Sequence, residues 1–431
     1  MRMIALLCCL PGIGLFAQPR VATFRADATP APGEPLIWTM PTSRVEDPLW
    51  AKGVVIESGG SRYVICALDW CGVGGSIDLM LRERMAAAAR TEPARVALQS
   101  VHQHAAPYIE GDGYAILRGL EKPPLMMSDR YLESLARKLA QSIEEALGRL
   151  KPFDRIGTSE ARVERVASIR RLPAPGGKVI VRFSGDGAKP EMAAAPEGPV
   201  DPMLRTITLA SGNQPLVRLH YYATHPQTFC CDGTVSSDFV GAARERLEKE
   251  EGVVQIYFTG CSGDVTVGKY NDKTRAARVA LGERLFAAMR ASNQATRFAP
   301  AGKVEWRSAN LELPKRPAPD LAAATSDDDR YRRAIAVAFA RRTRPLPASA
   351  LQIGTVQILH LPGEPMLEFQ RFAQRTRPDR FVAVAGYGDI APGYLCTDEA
   401  FPQGGYEPTA SNAGPGTEAA VKAVIRRLLG K

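Results

Sequence analysis

The residue pattern predicts an α/β protein made of layered mixed β-sheets flanked by helices. Three observations carry this. Short apolar or β-branched runs recur along the chain, each bounded by Gly, Pro or polar residues. Runs with helical periodicity lie between several of them. Composition is that of a globular protein, with 45% hydrophobic and 23% charged residues over a chain of 431. That length suits one large catalytic domain.

In chain order, the first feature is an export signal at 1–18. Arg2 supplies its positive end, 3–16 is apolar, and Ala17-Gln18 is a plausible cleavage neighbourhood. No later stretch is apolar enough to cross a bilayer. The expectation is a soluble exported protein, periplasmic or secreted, with 19–431 as one domain. Strands are expected at 53–57, 62–69, 95–101, 178–183, 204–210, 216–222, 253–259, 351–361 and 380–386. Helices are expected at 128–150, 238–251, 273–290, 330–342, 364–376 and 417–429. The first of these lines up Leu132, Leu135, Leu139, Ile143 and Leu147 behind Ser128 as cap. Segments 185–202 and 313–329 break the pattern and read as surface excursions.

The net charge of +9 is modest, and clusters such as Arg341-Arg342-Thr343-Arg344 have no aromatics among them. They read as solvated faces rather than a nucleic-acid site. Two of the eight cysteines lie in the signal. The other six match no structural zinc spacing and read as buried residues, with one or two disulfides allowed by an oxidising compartment. The adjacent pair Cys230-Cys231 has no explanation in the sequence.

Histidine is scarce and grouped. Of five in the chain, His102 and His104 share one strand end, His220 and His225 share another segment, and His360 lies just before Glu364. Strand alternation would point His102 and His104 to one face. Two imidazoles and a carboxylate are the usual donors for catalytic zinc, here His102, His225 and Glu364. The bland alternatives are unrelated hydrogen-bonded histidines and an acid that caps the helix expected at 364. Cys261-Ser262-Gly263-Asp264-Val265-Thr266 follows a strand and offers hydroxyls at Ser262 and Thr266, or simply a polar turn. Tyr387, Tyr394 and Tyr406 lie in a Gly-rich stretch that reads as a lining loop or as ordinary packing. His220 and His360 read as buried, hydrogen-bonded side chains.

Together these segments resemble the catalytic domain of the neutral ceramidases, zinc-dependent amidases that cleave the N-acyl bond of ceramide. The resemblance runs from Arg20 to Tyr406 as a series of short motifs in order. These include Ala-Thr-Phe-Arg-Ala-Asp-Ala-Thr-Pro near the start, Val101-His102-Gln103-His104-Ala105, and Ser168-Ile169-Arg170-Arg171. His225-Pro226, Pro362-Gly363-Glu364 and the pair Tyr394 and Tyr406 follow. The resemblance implies that His102, His225, Glu364 and Tyr394 hold one Zn²⁺. It implies that His104, Arg171 and Tyr406 orient the amide and stabilise its oxyanion. The family's nucleophilic serine corresponds to Thr266, whose β-methyl crowds the approach. Either Thr266 attacks or a metal-activated water does. The chain ends at Lys431, short of the family's immunoglobulin-like C-terminal domain.

The expected function is therefore exported zinc-dependent hydrolysis of a linear amide, an N-acyl lipid of ceramide type, with peripheral contact to a membrane surface. The alternatives are an amidase or esterase that uses water on a non-lipid substrate, and a non-catalytic binding protein on the same scaffold.

Overall fold

Alternation along Trp50–Ser58 sends Val54 and Ile56 to one side and Val55 to the other, and all three are fully buried. Both faces of this strand therefore need a covering layer. The computed structural model, which describes residues 18–431, shows both layers. The apolar run assigned above to an export signal lies almost wholly outside the described residues.

Three sheets form the frame. The first runs Val96–Ser100, Ser61–Leu68, Trp50–Ser58, Arg20–Asp27, Lys151–Pro152. The second runs Val254–Thr259, Gln214–Tyr222, Met203–Ser211, Arg155–Arg162, Arg297–Pro300. The third runs Val304–Leu311, Leu346–Ile353, Val356–His360, Phe381–Ala385. One core joins the inner faces of all three, through Val54 and Ile65 of the first, Ile207 and Leu219 of the second, and Leu351 and Ile358 of the third. Helices Gly75–Ala89 and Asp129–Leu147 cover the outer face of the first sheet around Leu81, Leu135 and Leu139. Helices Leu367–Thr376 and Thr417–Leu429 cover the third around Phe369 and Ile425. The layered α/β class expected from the sequence is the one observed.

Most pairings are antiparallel, but each sheet carries one parallel pair. These are Ser61–Leu68 with Val96–Ser100, Gln214–Tyr222 with Val254–Thr259, and Val356–His360 with Phe381–Ala385. Their carboxyl ends meet. Gln99 Nε2 donates to the carbonyls of Leu361, Ala385 and Gly386, and Thr259 Oγ1 donates to that of Val101. The Gly386 N–H donates to Thr259 O, and the Ser100 N–H to Tyr387 O. Carboxyl ends of parallel strands are where α/β proteins place ligands, because the loops that leave them are free to vary.

Several expectations change. The run at 351–361 is a hairpin rather than one strand: Leu346–Ile353 turns at Gly354 (φ 56°) into Val356–His360. Glu364 does not open a helix. It pairs with Tyr394 in a two-residue parallel bridge, and the helix starts at Leu367, after Pro365. Cys230 and Cys231 form a disulfide with each other, while Cys66, Cys71, Cys261 and Cys396 are buried thiols. No described helix is long and apolar enough to cross a membrane.

Candidate metal centre and its cavity

His102, His225 and Glu364 each follow the carboxyl end of a different sheet's strand. The strand that leads to His102 stops at Ser100. Alternation therefore does not orient the imidazoles as expected. His102 instead adopts left-handed backbone geometry (φ 72°), a conformation that costs a residue with a Cβ and is kept where the surroundings enforce it. Its N–H donates to Trp70 O at 2.8 Å, its ring stacks on Tyr387 at 4.1 Å, and the His104 ring meets it edge-on at 4.9 Å.

The hydrogen bonds of the two rings define their tautomers. His102 Nδ1 lies 2.5 Å from Cys71 O. His225 Nδ1 lies 2.7 Å from Ser262 O and 3.1 Å from Val265 O. A carbonyl only accepts, so both Nδ1 atoms carry the proton and both Nε2 atoms present a lone pair. Those lone pairs face one carboxylate oxygen: Glu364 Oε2 is 3.2 Å from His102 Nε2 and 3.3 Å from His225 Nε2. Three acceptors meeting in a buried place repel one another unless a cation sits between them. Zinc bonds of roughly 2.0–2.1 Å in tetrahedral geometry put neighbouring donors about 3.3 Å apart, close to the spacings seen here. The three donor atoms all lie within 4.8 Å of one another. These residues therefore fit a divalent transition metal, and backbone carbonyls at both Nδ1 positions are the usual orienting contacts for metal-binding imidazoles.

Electrostatics agree with this arrangement. Burial, helped by the Arg170 charge, pushes His225 down to about 4, so its ring stays neutral at ordinary pH. Cys71 Sγ also lies near His102 Nδ1, at 3.8 Å. Burial raises that thiol far above its ordinary value, so it stays protonated and is a poor ligand.

Tyr394 Oη is 3.4 Å from His225 Nε2 and accepts a hydrogen bond from Arg170 Nη1 at 2.9 Å. Burial favours its phenol form, opposed by the guanidinium. His104, Tyr394, Tyr406, Glu364 and His102 line a cavity of about 350 Å³ whose other wall is formed by Ile37, Trp38, Tyr108 and Ile335. His104 Nε2 is buried without a partner. Burial and the two neighbouring imidazoles push the His104 ring well below its ordinary value.

Two residues expected at the site lie elsewhere. Arg171 points away: its Nη1 pairs with the buried carboxylate of Glu407 at 2.6 Å and its Nη2 donates to Gln403 at 3.0 Å. Its neighbour Arg170 is the one beside Tyr394, with its guanidinium carbon 5.5 Å from the Tyr406 ring centre and its Nε facing Glu407 Oε1 at 4.0 Å without a hydrogen bond. Arg170 forms the bend between the short strands Ser168–Ile169 and Arg171–Ala174, and that bend decides which of the two guanidinium groups reaches Tyr394. Thr266 is fully buried and is not part of the cavity wall. Its hydroxyl lies 2.6 Å from Ser184 Oγ, which donates to Gln227 Oε1 at 2.7 Å. Ser184 has one proton to give, so Thr266 is the donor to Ser184 and its own proton is committed there. His220 bonds Thr206 and Gln255, and His360 bonds Ser349 and stacks on Trp306.

Fold and cavity together define a three-sheet α/β protein with a buried two-histidine, one-glutamate cluster at the meeting point of its parallel strands. No family model and no curated protein matches the sequence. Solved structures do match. A neutral ceramidase from Pseudomonas aeruginosa superposes with a TM-score of 0.73 at 18% identity, over 95% of this chain and 73% of that one. A ceramidase complexed with C2 gives 0.71 at 17% identity, over 95% and 74%. The fold is neutral-ceramidase-like.

Proposed function

We propose that the chain is an exported zinc-dependent hydrolase that cleaves the amide of an N-acylated amine. The observation that carries this reading is the convergence of two Nε2 lone pairs and the Glu364 carboxylate at the floor of a cavity. The likeness in fold to ceramidases supports it and makes ceramide the first compound to assay. His102, His225 and Glu364 would hold the ion, with the Tyr394 oxygen within reach of the same place. Zinc bound there supplies polarisation of a carbonyl and a lowered pKa, about 7, for water.

The remaining roles belong to the chain itself. Arg170 holds the Tyr394 oxygen through Nη1, with its Nε turned to Glu407 at 4.0 Å, and its permanent charge lies behind the place where an amide oxygen gains charge. Tyr406 stays a phenol because burial raises it, so it donates a hydrogen bond to the same oxygen. His104 is neutral and partner-free, able to accept a proton from the attacking group and pass it to the leaving nitrogen. The wall of Ile37, Trp38, Tyr108 and Ile335 holds an acyl chain and keeps bulk water out. Water, not Thr266, is the nucleophile in this reading, because the Thr266 proton is committed to Ser184.

The test is hydrolysis of short-chain ceramide and of simple N-acyl amides by the purified protein before and after chelation. Activity that disappears with chelator and returns with zinc supports the proposal. A folded, zinc-loaded protein that cleaves none of these compounds overturns it.

A further inference from the structure

The cavity wall carries two arginines, Arg332 and Arg333, and, besides Glu364, the carboxylate of Asp329; Asp329 is paired with Arg333, and among the described residues Arg332 makes no salt bridge. Arg332 opens onto the cavity from helix Asp327–Arg341. Its neighbours are paired, Arg330 with Asp327 and Arg333 with Asp329. Asp329 also accepts from the Thr325 N–H, and Asp328 accepts from Thr39. Among the described residues Arg332 has no carboxylate within salt-bridge distance, and its one hydrogen bond runs from Nε to Asp328 O at 3.4 Å.

The surroundings of Arg332 are aromatic. Its guanidinium carbon lies 5.9 Å from the Trp38 ring centre, and Trp38 packs on Tyr108 at 4.7 Å. Arg332 and Tyr406 line the same cavity. Tyr406 in turn meets Tyr394 at 5.7 Å, beside the metal cluster. Arg332 is therefore within one small molecule's length of the reacting centre. A planar guanidinium against an aromatic wall is the donor geometry that binds a carboxylate with two parallel hydrogen bonds. The volume of about 350 Å³ lies near the lower end of ligand pockets, which span roughly 300–1,000 Å³, and leaves room for a medium acyl chain and a compact head group.

From this juxtaposition we infer that the substrate is an N-acyl amino acid, an amide whose amine portion carries a carboxylate, and that Arg332 binds that carboxylate. The apolar wall takes the acyl chain, and the scissile carbonyl lies by His104 and Arg170. Water adds across the C–N bond: the carbonyl carbon gains oxygen, the nitrogen leaves with a proton, and a fatty acid and an amino acid are released. The bond that breaks rests on the amide-hydrolase reading above. The charge preference rests on Arg332 and its wall alone.

N-octanoylglycine and N-octanoylethanolamine separate the two statements, because they differ at the group that would meet Arg332. Each is assayed for hydrolysis and for calorimetric binding with the zinc-loaded wild type, Arg332→Ala, Arg332→Glu and Arg332→Lys. Thermal melts check that each variant is folded, and the position is exposed on its helix. Wild type is expected to favour the glycine compound about tenfold, the scale of one charge-assisted hydrogen bond. Arg332→Ala should erase that preference, Arg332→Glu reverse it and Arg332→Lys keep part of it. A preference seen in binding without turnover supports the inference while the hydrolase reading fails. Hydrolysis of both compounds at equal efficiency, unchanged in Arg332→Glu, sinks the inference and leaves the hydrolase reading standing. If neither compound is bound or cleaved, the inference falls, and the hydrolase reading is decided separately by short-chain ceramide.

Discussion

Replacing Thr266 by valine separates the two nucleophiles with one near-isosteric change. Thr266 is fully buried, and its hydroxyl makes the 2.6 Å bond to Ser184. Valine keeps the β-branched shape and removes that bond. Ser184 still donates to Gln227 Oε1, so no buried proton is orphaned and only an acceptor lone pair goes unfilled. The cost should be about 1–2 kcal/mol, small against the roughly 5–15 kcal/mol of a stable domain. The variant should fold. If water is the nucleophile, kcat/KM should stay within about threefold of wild type, because no group that touches the amide has changed. If Thr266 attacks, kcat should fall by roughly 10⁴-fold or more, the scale on which removing a covalent nucleophile acts. Steady-state kinetics on any cleaved amide, with a denaturant melt beside them, decide the matter. A folded Thr266→Val protein without turnover refutes the reasoning.

Other outcomes follow from the same geometry. Arg170→Lys should fold but lose about 10²–10³ in kcat, since it keeps the charge and loses the guanidinium fork that holds the Tyr394 oxygen and Gly263 O together. Arg171→Ala should act on stability instead, by about 3 kcal/mol, because it removes the 2.6 Å partner of the buried Glu407 carboxylate and leaves only Arg170, at 4.0 Å. Denaturant midpoints and kinetics on the same two proteins check this division. Glu110 gives a pH effect away from the metal. Burial, with Asp112 and Asp389 adding to it against the Gly113 N–H and Arg342, raises its carboxyl to about 8 from an ordinary 4.5. The unfolded chain then releases this proton near pH 4.5 and the folded chain only near 8. Between those values the unfolded state binds fewer protons, and stability falls as pH rises, by up to about 1.4 kcal/mol per pH unit. Glu110→Gln should flatten that slope and be the more stable protein at pH 8; equal slopes in both proteins would remove Glu110 as the cause.

How much of this was legible beforehand varies with the kind of signal. Grouping made His102, His225 and Glu364 legible, because a chain so poor in histidine shows its clusters. Helices 238–251 and 417–429 emerged with the expected bounds, since a glycine stop, Gly252 or Gly430, ends each one. Helix Gly75–Ala89 escaped notice because Gly74-Gly75 reads as a turn and its alanines give no clear apolar stripe. The choice between Arg170 and Arg171 was beyond the sequence, because it depends on a bend at Arg170 between two short strands, Ser168–Ile169 and Arg171–Ala174. The role of Arg332 was equally hidden. It depends on which of the three arginines near the helix start, Arg330, Arg332 and Arg333, lacks an acid, and that is settled by side-chain distances. The left-handed turn at His102 leaves no mark in composition at all, since its cause is tertiary.

The central claim is that His102, His225 and Glu364 together hold one divalent metal. Elemental analysis of the purified chain tests it most directly, on wild type and on folded His102→Ala and Glu364→Gln proteins. The account predicts about one zinc per wild-type chain and a loss of at least 10-fold in affinity in each variant. A folded wild type that takes up no metal after incubation with zinc, or variants that retain it at full occupancy, would contradict the account.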